Sequence, residues 1–339
     1  MNRLRFIVAI IAIFFNMLVA FSAECHHRGM LEEPYCDNDY DLIADLPTDP
    51  KQMITPQTLI VSFSPFEDLS PYSKYITRFT DHLATCLDSK VIYYQMQSNE
   101  AEIEAMRAGR LHVAGFSSGS TVAAVNRAGA VPFAAKGNEQ GIAYSGLIVI
   151  ARSDSPYQKI TDLKGKRVAH TDAVSNSGHL GALALFPQEG IIPGVDYEVI
   201  FSGKHDLSIV GVKSGDYDAA VISAEVYERM IGQQRIKEGE FRIIYQSEPF
   251  PAAAITYSHK LAPEFREKLQ QCIFDYRFSG SMQHELLGAD RFVPINYQKD
   301  WAYIRMLLEE ANQIRQEIFQ NVAAGNKNGW GARLYTWLR

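Results

Sequence analysis

Two successive trains of short β-branched runs, separated by helical stretches, set the main constraint on this chain. Residues 59–63, 91–94 and 111–116 read as strands, with amphipathic helices predicted over 73–87, 100–108 and 121–128. The rhythm restarts with strands at 147–151, 167–170, 197–201, 219–222 and 242–245 and a helix over 179–186. Pro249 to Tyr257 reads as an extended return strand, and 263–320 as mainly helical, expected to pack back onto the first unit. A β-α-β-α order implies a mostly parallel sheet with helices on its faces. Two such units without internal identity imply two lobes, and 339 residues, 47% of them apolar, suffice for two cores.

The chain opens with Arg3 and Arg5, an apolar run from Phe6 to Phe21, and Ala20-Phe21-Ser22-Ala23. This is the pattern of a secretory signal peptide cleaved after Ala23. The run is shorter than the ~20 residues that span a bilayer, so no stable membrane insertion is expected. The formal charge of −6 falls to −8 without Arg3 and Arg5, and no basic block stands out. Nucleic acid is therefore excluded as a partner, since phosphate-backbone binding needs a concentrated basic surface. An exported chain can form disulfides. Cys25 and Cys36 would close a short loop, whereas Cys86 and Cys272 lie in helical patterns and read as two buried thiols.

Two loop-to-helix junctions carry the chemistry. Ser117-Ser118-Gly119-Ser120-Thr121 follows one strand and opens a helix, and Ser175-Asn176-Ser177-Gly178-His179 does so in the second unit. Helix N-termini present unpaired N–H groups and partial positive charge, and hydroxyls add donors. Either run alone also reads as an N-cap serving its own helix. One junction per lobe, at the carboxyl ends of strands, would face a shared cleft and bind an anion. Phe63, Phe116 and Tyr144 fall at strand ends and could line it.

No GxSxG elbow, HExxH or Walker A sequence occurs. His205, Asp206 and Glu225 could be drawn as an acid/base set, but His205 serves better as a donor to an oxyanion. A free Glu225 carboxylate in the pocket would favour a ligand that still carries a proton. Asp37, Asp39, Asp41 and Asp45 follow the 1, 3, 5, 9 spacing of calcium loops, with Leu42 in place of the usual Gly. The same run also reads as a solvated acidic linker. Calcium is thus the one cofactor expectation.

The segment Tyr144-Ser145-Gly146-Leu147 to Ser155, followed by Asp162-Leu163-Lys164-Gly165-Lys166, resembles phosphonate ABC-transporter binding proteins. So do Ser175-Asn176-Ser177-Gly178, Gly203-Lys204-His205-Asp206, Gly215 to Ala220, and Leu261 to Arg266. The resemblance covers roughly 58–312. It implies an α/β, two-lobed type II periplasmic binding fold with a hinged ligand cleft. Together with the signal peptide (1–23) and an acidic extension (24–56) that falls outside the resemblance, the expected layout is lobe I (57–146 plus 250–325), lobe II (147–249) and a tail (326–339). It implies ligand contacts from Ser175, Asn176, Ser177 and His205, with Glu225 as the acidic pocket residue. Ser117, Ser118, Ser120, Thr121, Tyr144 and Asn99 complete the expected site. Where aminoalkyl-phosphonate binders keep an acidic residue, this chain has Pro251-Ala252-Ala253-Ala254, which favours phosphate, phosphite or a small alkylphosphonate. The expected role is that of a monomeric periplasmic binding protein delivering to an ABC transporter permease, not an enzyme. The alternatives are a sensor, a binder of sulfonates or carboxylates, or a hydrolase using His205, Asp206 and Glu225.

Overall fold

The computed structural model describes residues 25–323. The expected signal peptide and the whole of the expected tail lie outside them. Two sheets form the frame. The first holds β1 (Thr58–Phe63), β2 (Lys90–Tyr93), β3 (Val113–Ser117), β4 (Ala130–Asn138) and β5 (Gly141–Ile142). After a short β6 (Tyr144–Ser145) the second sheet holds β7 (Leu147–Arg152), β8 (Arg167–His170), β9 (Glu198–Phe201), β10 (Ala219–Ser223) and β11 (Phe241–Gln246). The chain then returns through β12 (Phe250–Pro251) to β13 (Ala253–Ser258) and β14 (Arg291–Pro294) in the first sheet. β6 and β12 pair as a two-stranded ribbon where the chain passes between the lobes.

The strand orders are β14-β4-β13-β3-β1-β2 and β11-β7-β10-β8-β9. Both sheets are mixed rather than mostly parallel. β13 runs antiparallel to β3 and β4, and β7 runs antiparallel to β10 and β11. The chain returns after leaving each unit, and a strand entering from the opposite end must run in reverse. Sequence reading also missed β4, whose Pro132 and Lys136 break the apolar run. β7 and β10 are buried along nearly their whole length, as central strands covered on both faces must be.

The helices in order are α1 (Ser73–Leu87), α2 (Asn99–Arg107), α3 (Ser118–Ala128), α4 (Gly181–Leu185), α5 (His205–Ser214) and α6 (Ala224–Gly232). Then follow α7 (Pro263–Asp275), α8 (Gly280–Glu285), α9 (Tyr297–Asp300) and α10 (Ala302–Ala323). α1 buries Tyr75, Phe79, Leu83 and Leu87, a stripe at every fourth residue, and ends on left-handed Asp88. α3 starts at Ser118, three residues before the expected start, which puts Ser118 in its first turn. α10 departs from the expected packing. Its Leu307 and Ala311 pack on Leu180, Leu183 and Ala184 of lobe II, while the preceding Trp301 donates to the Ser118 carbonyl of α3. It therefore bridges both lobes.

All four cysteines are paired. Cys25–Cys36 closes the extension loop, and Cys86–Cys272 ties α1 to α7 across 186 residues. The second bond corrects the reading of two thiols: opposite helix faces bring their Cα atoms to 5.8 Å, a separation that a disulfide spans. A loop this long removes much unfolded-state entropy. Replacing both cysteines by Ala should cost roughly 2–5 kcal/mol in urea denaturation, and a loss below about 1 kcal/mol would contradict that role.

Candidate functional site

The carboxyl ends of β3, β8, β9 and β10 converge on one cavity of about 190 Å³ between the lobes. Ser117 and Ser118 line it from lobe I, and Ser175, Ser177, His205, Ser223 and Glu225 from lobe II. The two serine junctions thus share a single pocket. Ser118 and Ser177 are nearly buried, and among the described residues no hydrogen bond uses either hydroxyl. The second junction is a π-helical turn, Asn176–Leu180, leading directly into α4. Ser175 caps it by accepting from the Gly178 N–H at 3.1 Å. Gly178 is required there, since a Cβ would stand 1.8 Å from Thr171 Oγ1.

His205 opens α5 and is held in one tautomer. Its Nδ1 accepts from the Ser223 backbone N–H at 3.0 Å, so Nε2 carries the proton. Burial, helped by the Arg229 charge, pushes its pKa down to about 3. It is therefore a neutral donor. Asp206 is turned away to Arg235, at 3.2 Å, and to the Asp68 N–H. The His205–Asp206–Glu225 acid/base set does not assemble.

Glu225 is not the free carboxylate that sequence reading supposed. Its Oε1 takes both Lys136 of β4 and Arg229, the latter at 2.6 Å, and Arg229 also bonds Glu67 at 2.6 Å. Burial alone would raise the Glu225 carboxyl, but Lys136 and Arg229 outweigh it and hold it well below the usual range. Burial in turn lowers the Lys136 ammonium against the pull of Glu225. Lys136 and Glu67 come from lobe I, Glu225 and Arg229 from lobe II, so the four charges bridge the cleft and sum to zero. Sequence reading missed Lys136, Glu67, Arg229 and Ser223. The Glu225/Arg229 spacing of four on a helix was the available signal.

Beyond the polar end the cavity is walled by Phe63, Tyr75, Ile76, Phe79, Phe278 and Phe292, with Ala252, Ala253 and Ala254 along one side. Other expected site residues do not line it. The Ser120 hydroxyl accepts from Ser117 Oγ, and Thr121 Oγ1 donates to the Ser117 carbonyl, so both serve the start of α3. Phe116 is wholly core, and Tyr144 lines a separate recess. Asn99 is buried at the start of α2. Asn176 is buried beside the cavity with both side-chain amide atoms unpartnered. In the extension, Asp37, Asp39 and Asp41 cluster, whereas Asp45 accepts from Asn38 N and Nδ2.

Residues 61–301 match the family model described as ABC transporter, phosphonate, periplasmic substrate-binding protein. The chain belongs to this family. Among its relatives, the phosphate-import protein of Mycolicibacterium smegmatis is 26% identical over 226 residues, covering 63% of this chain and 70% of the relative. The phosphonates-binding periplasmic protein of Escherichia coli is 23% identical over 204 residues, covering 59% and 60%. The same fold occurs in the binding component of an ABC phosphonate transporter from Pseudomonas aeruginosa. That structure has a TM-score of 0.69 at 19% identity, covering 78% of this chain and 89% of that one. A Prochlorococcus marinus protein in complex with methylphosphonate has a TM-score of 0.67 at 19% identity, covering 76% and 99%. These likenesses establish the two-lobed periplasmic binding fold. No helix of the described residues is long and apolar enough to cross a membrane.

Two tests follow from the site's packing. Gly119 of α3 meets lobe II so closely that a Cβ would stand 2.3 Å from the Val174 carbonyl oxygen and 2.8 Å from Asn176 N. Gly119→Ala should favour α3 by ~1 kcal/mol in helix propensity yet force the lobes apart. Small-angle scattering should show a larger radius of gyration; a profile identical to the parent would contradict the contact's role.

Glu102 lies fully buried with Oε2 hydrogen-bonded to Ser64 Oγ, which in turn accepts from the Ser117 N–H. Burial, opposed by Ser64 and Ser62, pushes its carboxyl from 4.5 up to about 8. Between those values only the unfolded chain releases the proton. The group's contribution is therefore complete below pH 4.5 and falls by ~1.4 kcal/mol per unit until pH 8. Glu102→Gln should abolish that slope, so urea midpoints of variant and parent diverge in the variant's favour as pH rises. Parallel curves would refute a buried neutral acid.

Proposed function

We propose that this protein captures a phosphorus oxyanion bearing an uncharged carbon substituent, a small alkyl- or arylphosphonate, and delivers it in the periplasm to an ABC importer. One observation carries the reading: unengaged hydroxyls from opposite lobes, Ser118 and Ser177, line one cavity with a neutral His205 fixed as an Nε2 donor. Donors of this kind suit an anion held by dipoles. The ligands named for the similar proteins, phosphate, phosphonates and methylphosphonate, belong to the same chemistry.

The substituent is argued from the rest of the wall. An aromatic chamber adjoins the serines, and burying carbon there is favourable by roughly 25 cal/mol per Å². Of the carboxylates that line the cavity, Glu67 and Glu225 already hold Arg229 and Lys136, and Glu285 accepts from the Gln233 amide at 2.6 Å, so an ammonium group on the ligand would have to compete for each. Oε1 takes both of Glu225's cations, and no hydrogen bond among the described residues uses Oε2. That oxygen remains as an acceptor for a ligand proton. Binding without turnover is supported by His205, whose Nδ1 is engaged by a backbone N–H rather than a carboxylate.

Calorimetry at neutral pH tests this. Methyl- and phenylphosphonate should bind more tightly than phosphate, with 2-aminoethylphosphonate and sulfate weaker still. His205→Ala and Ser177→Ala should each weaken binding by about 10- to 100-fold, the worth of one hydrogen bond to a charged group. Silence toward every phosphorus compound would sink the proposal, as would full affinity in both variants. Bare phosphate as the tightest ligand would remove the substituent.

A further inference from the structure

Outside the cleft, the N-terminal extension gathers three carboxylates that no Lys or Arg balances among the described residues. Asp37, Asp39 and Asp41 each place a carboxylate oxygen within 4.8 Å of the others. Asp39 and Asp41 are exposed, but Asp37 is 0% exposed and neither of its carboxylate oxygens has a hydrogen-bond partner. Burying a carboxylate unpartnered is costly unless an ion compensates it. The imidazole of His27 stands 3.5 Å from Asp37 Oδ2, yet its Nδ1 is spent on the Asp37 carbonyl at 2.8 Å. No Lys or Arg pairs with the three carboxylates among the described residues.

The turn is braced independently of any charge. Tyr40 and Leu42 take left-handed backbone, with φ of 62° and 70°, and the Cys25–Cys36 bond holds its start. Asp45 Oδ2 ties back to Asn38, and the Tyr40 carbonyl accepts from Gln298 of α9. The donors facing inward are all oxygens. A hard, flexible-coordination cation fits them; a thiophilic metal does not, since both nearby cysteines are oxidised.

We infer that Asp37, Asp39 and Asp41 bind one calcium ion, backbone carbonyls and water completing its shell, and that the ion fastens the extension to lobe I. Asp45, counted with them on spacing alone, acts as a brace rather than a ligand.

The test uses the full exported chain stripped with chelator, titrated with calcium chloride and in parallel with magnesium chloride. One calcium per chain is expected, with a dissociation constant on the order of 10⁻⁴–10⁻³ M or tighter and weaker magnesium binding. Asp39→Asn and Asp41→Asn change exposed residues and should each weaken calcium binding at least about tenfold. Calcium should raise the melting temperature of the parent and not of these variants, with phosphonate affinity unchanged in both. Absence of stoichiometric calcium heat, undiminished binding in both variants, or equal binding of magnesium would overturn the assignment.

Discussion

Four charges straddle the cleft, three of them buried and Lys136 partly so, and they tie the walls of the two lobes together. Glu67 and Lys136 arrive from one lobe, Arg229 and Glu225 from the other, and each meets an opposite charge across the gap. Taking an ion out of water costs several kcal/mol, which its partner offsets only at contact distance. Removing Glu225 would strand Lys136, and removing Arg229 would strand Glu67. Glu225 and Arg229 pair within one helix, whereas Lys136 and Glu67 find their partners only across the lobes, so their compensation needs the lobes together. The network links closure to the chemistry of the pocket wall.

Its neutrality shapes recognition. In the function proposed above, with no net cation in the network, a guest's charge would be met by oriented dipoles: two free serine hydroxyls, a neutral imidazole N–H and the starts of α3 and the π-helical turn. A bare ammonium would attract any anion, sulfate included. Counted donors plus one acceptor on Glu225 instead read the number and protonation of ligand oxygens. The aromatic chamber adds shape without charge, a division between polar anchor and apolar wall that is common in small-molecule sites.

Much of this was legible in the chain. The 3.6-residue stripe of α1 and the continuous apolar runs of β7 and β10 fixed element type, because burial on one face or on two leaves different periodicities. The two serine junctions were readable only as a pair, because helix capping accounts for either run alone but less readily for one in each unit. Strand direction was not legible, since β7 and β13 look alike whichever way they run. Lys136 was invisible for a similar reason. A lone lysine in a broken apolar run names no partner, and its own, Glu225, lies 89 residues away. Ser120 and Thr121 misled because their hydroxyls satisfy helix α3 itself, a choice only geometry reveals. Cys86 and Cys272 were likewise separable only once α1 and α7 were seen side by side.

Rigidity is distributed unequally, and that asymmetry supports a hinge. Both disulfides and the whole extension lie on lobe I, where Leu31, Tyr35 and Ala44 are buried and His259 holds the Asp45 carbonyl. Lobe II has neither. Between them the β6–β12 ribbon offers only two residue pairs, few contacts to resist bending. α10 limits the motion from the other side, gripping α4 while the adjacent Trp301 holds the first turn of α3. Movement that opens the cleft must therefore slide or carry this helix. The same Trp301 bond sits on the Ser118 carbonyl, so the element that restrains the lobes also sets the position of a cavity-lining serine.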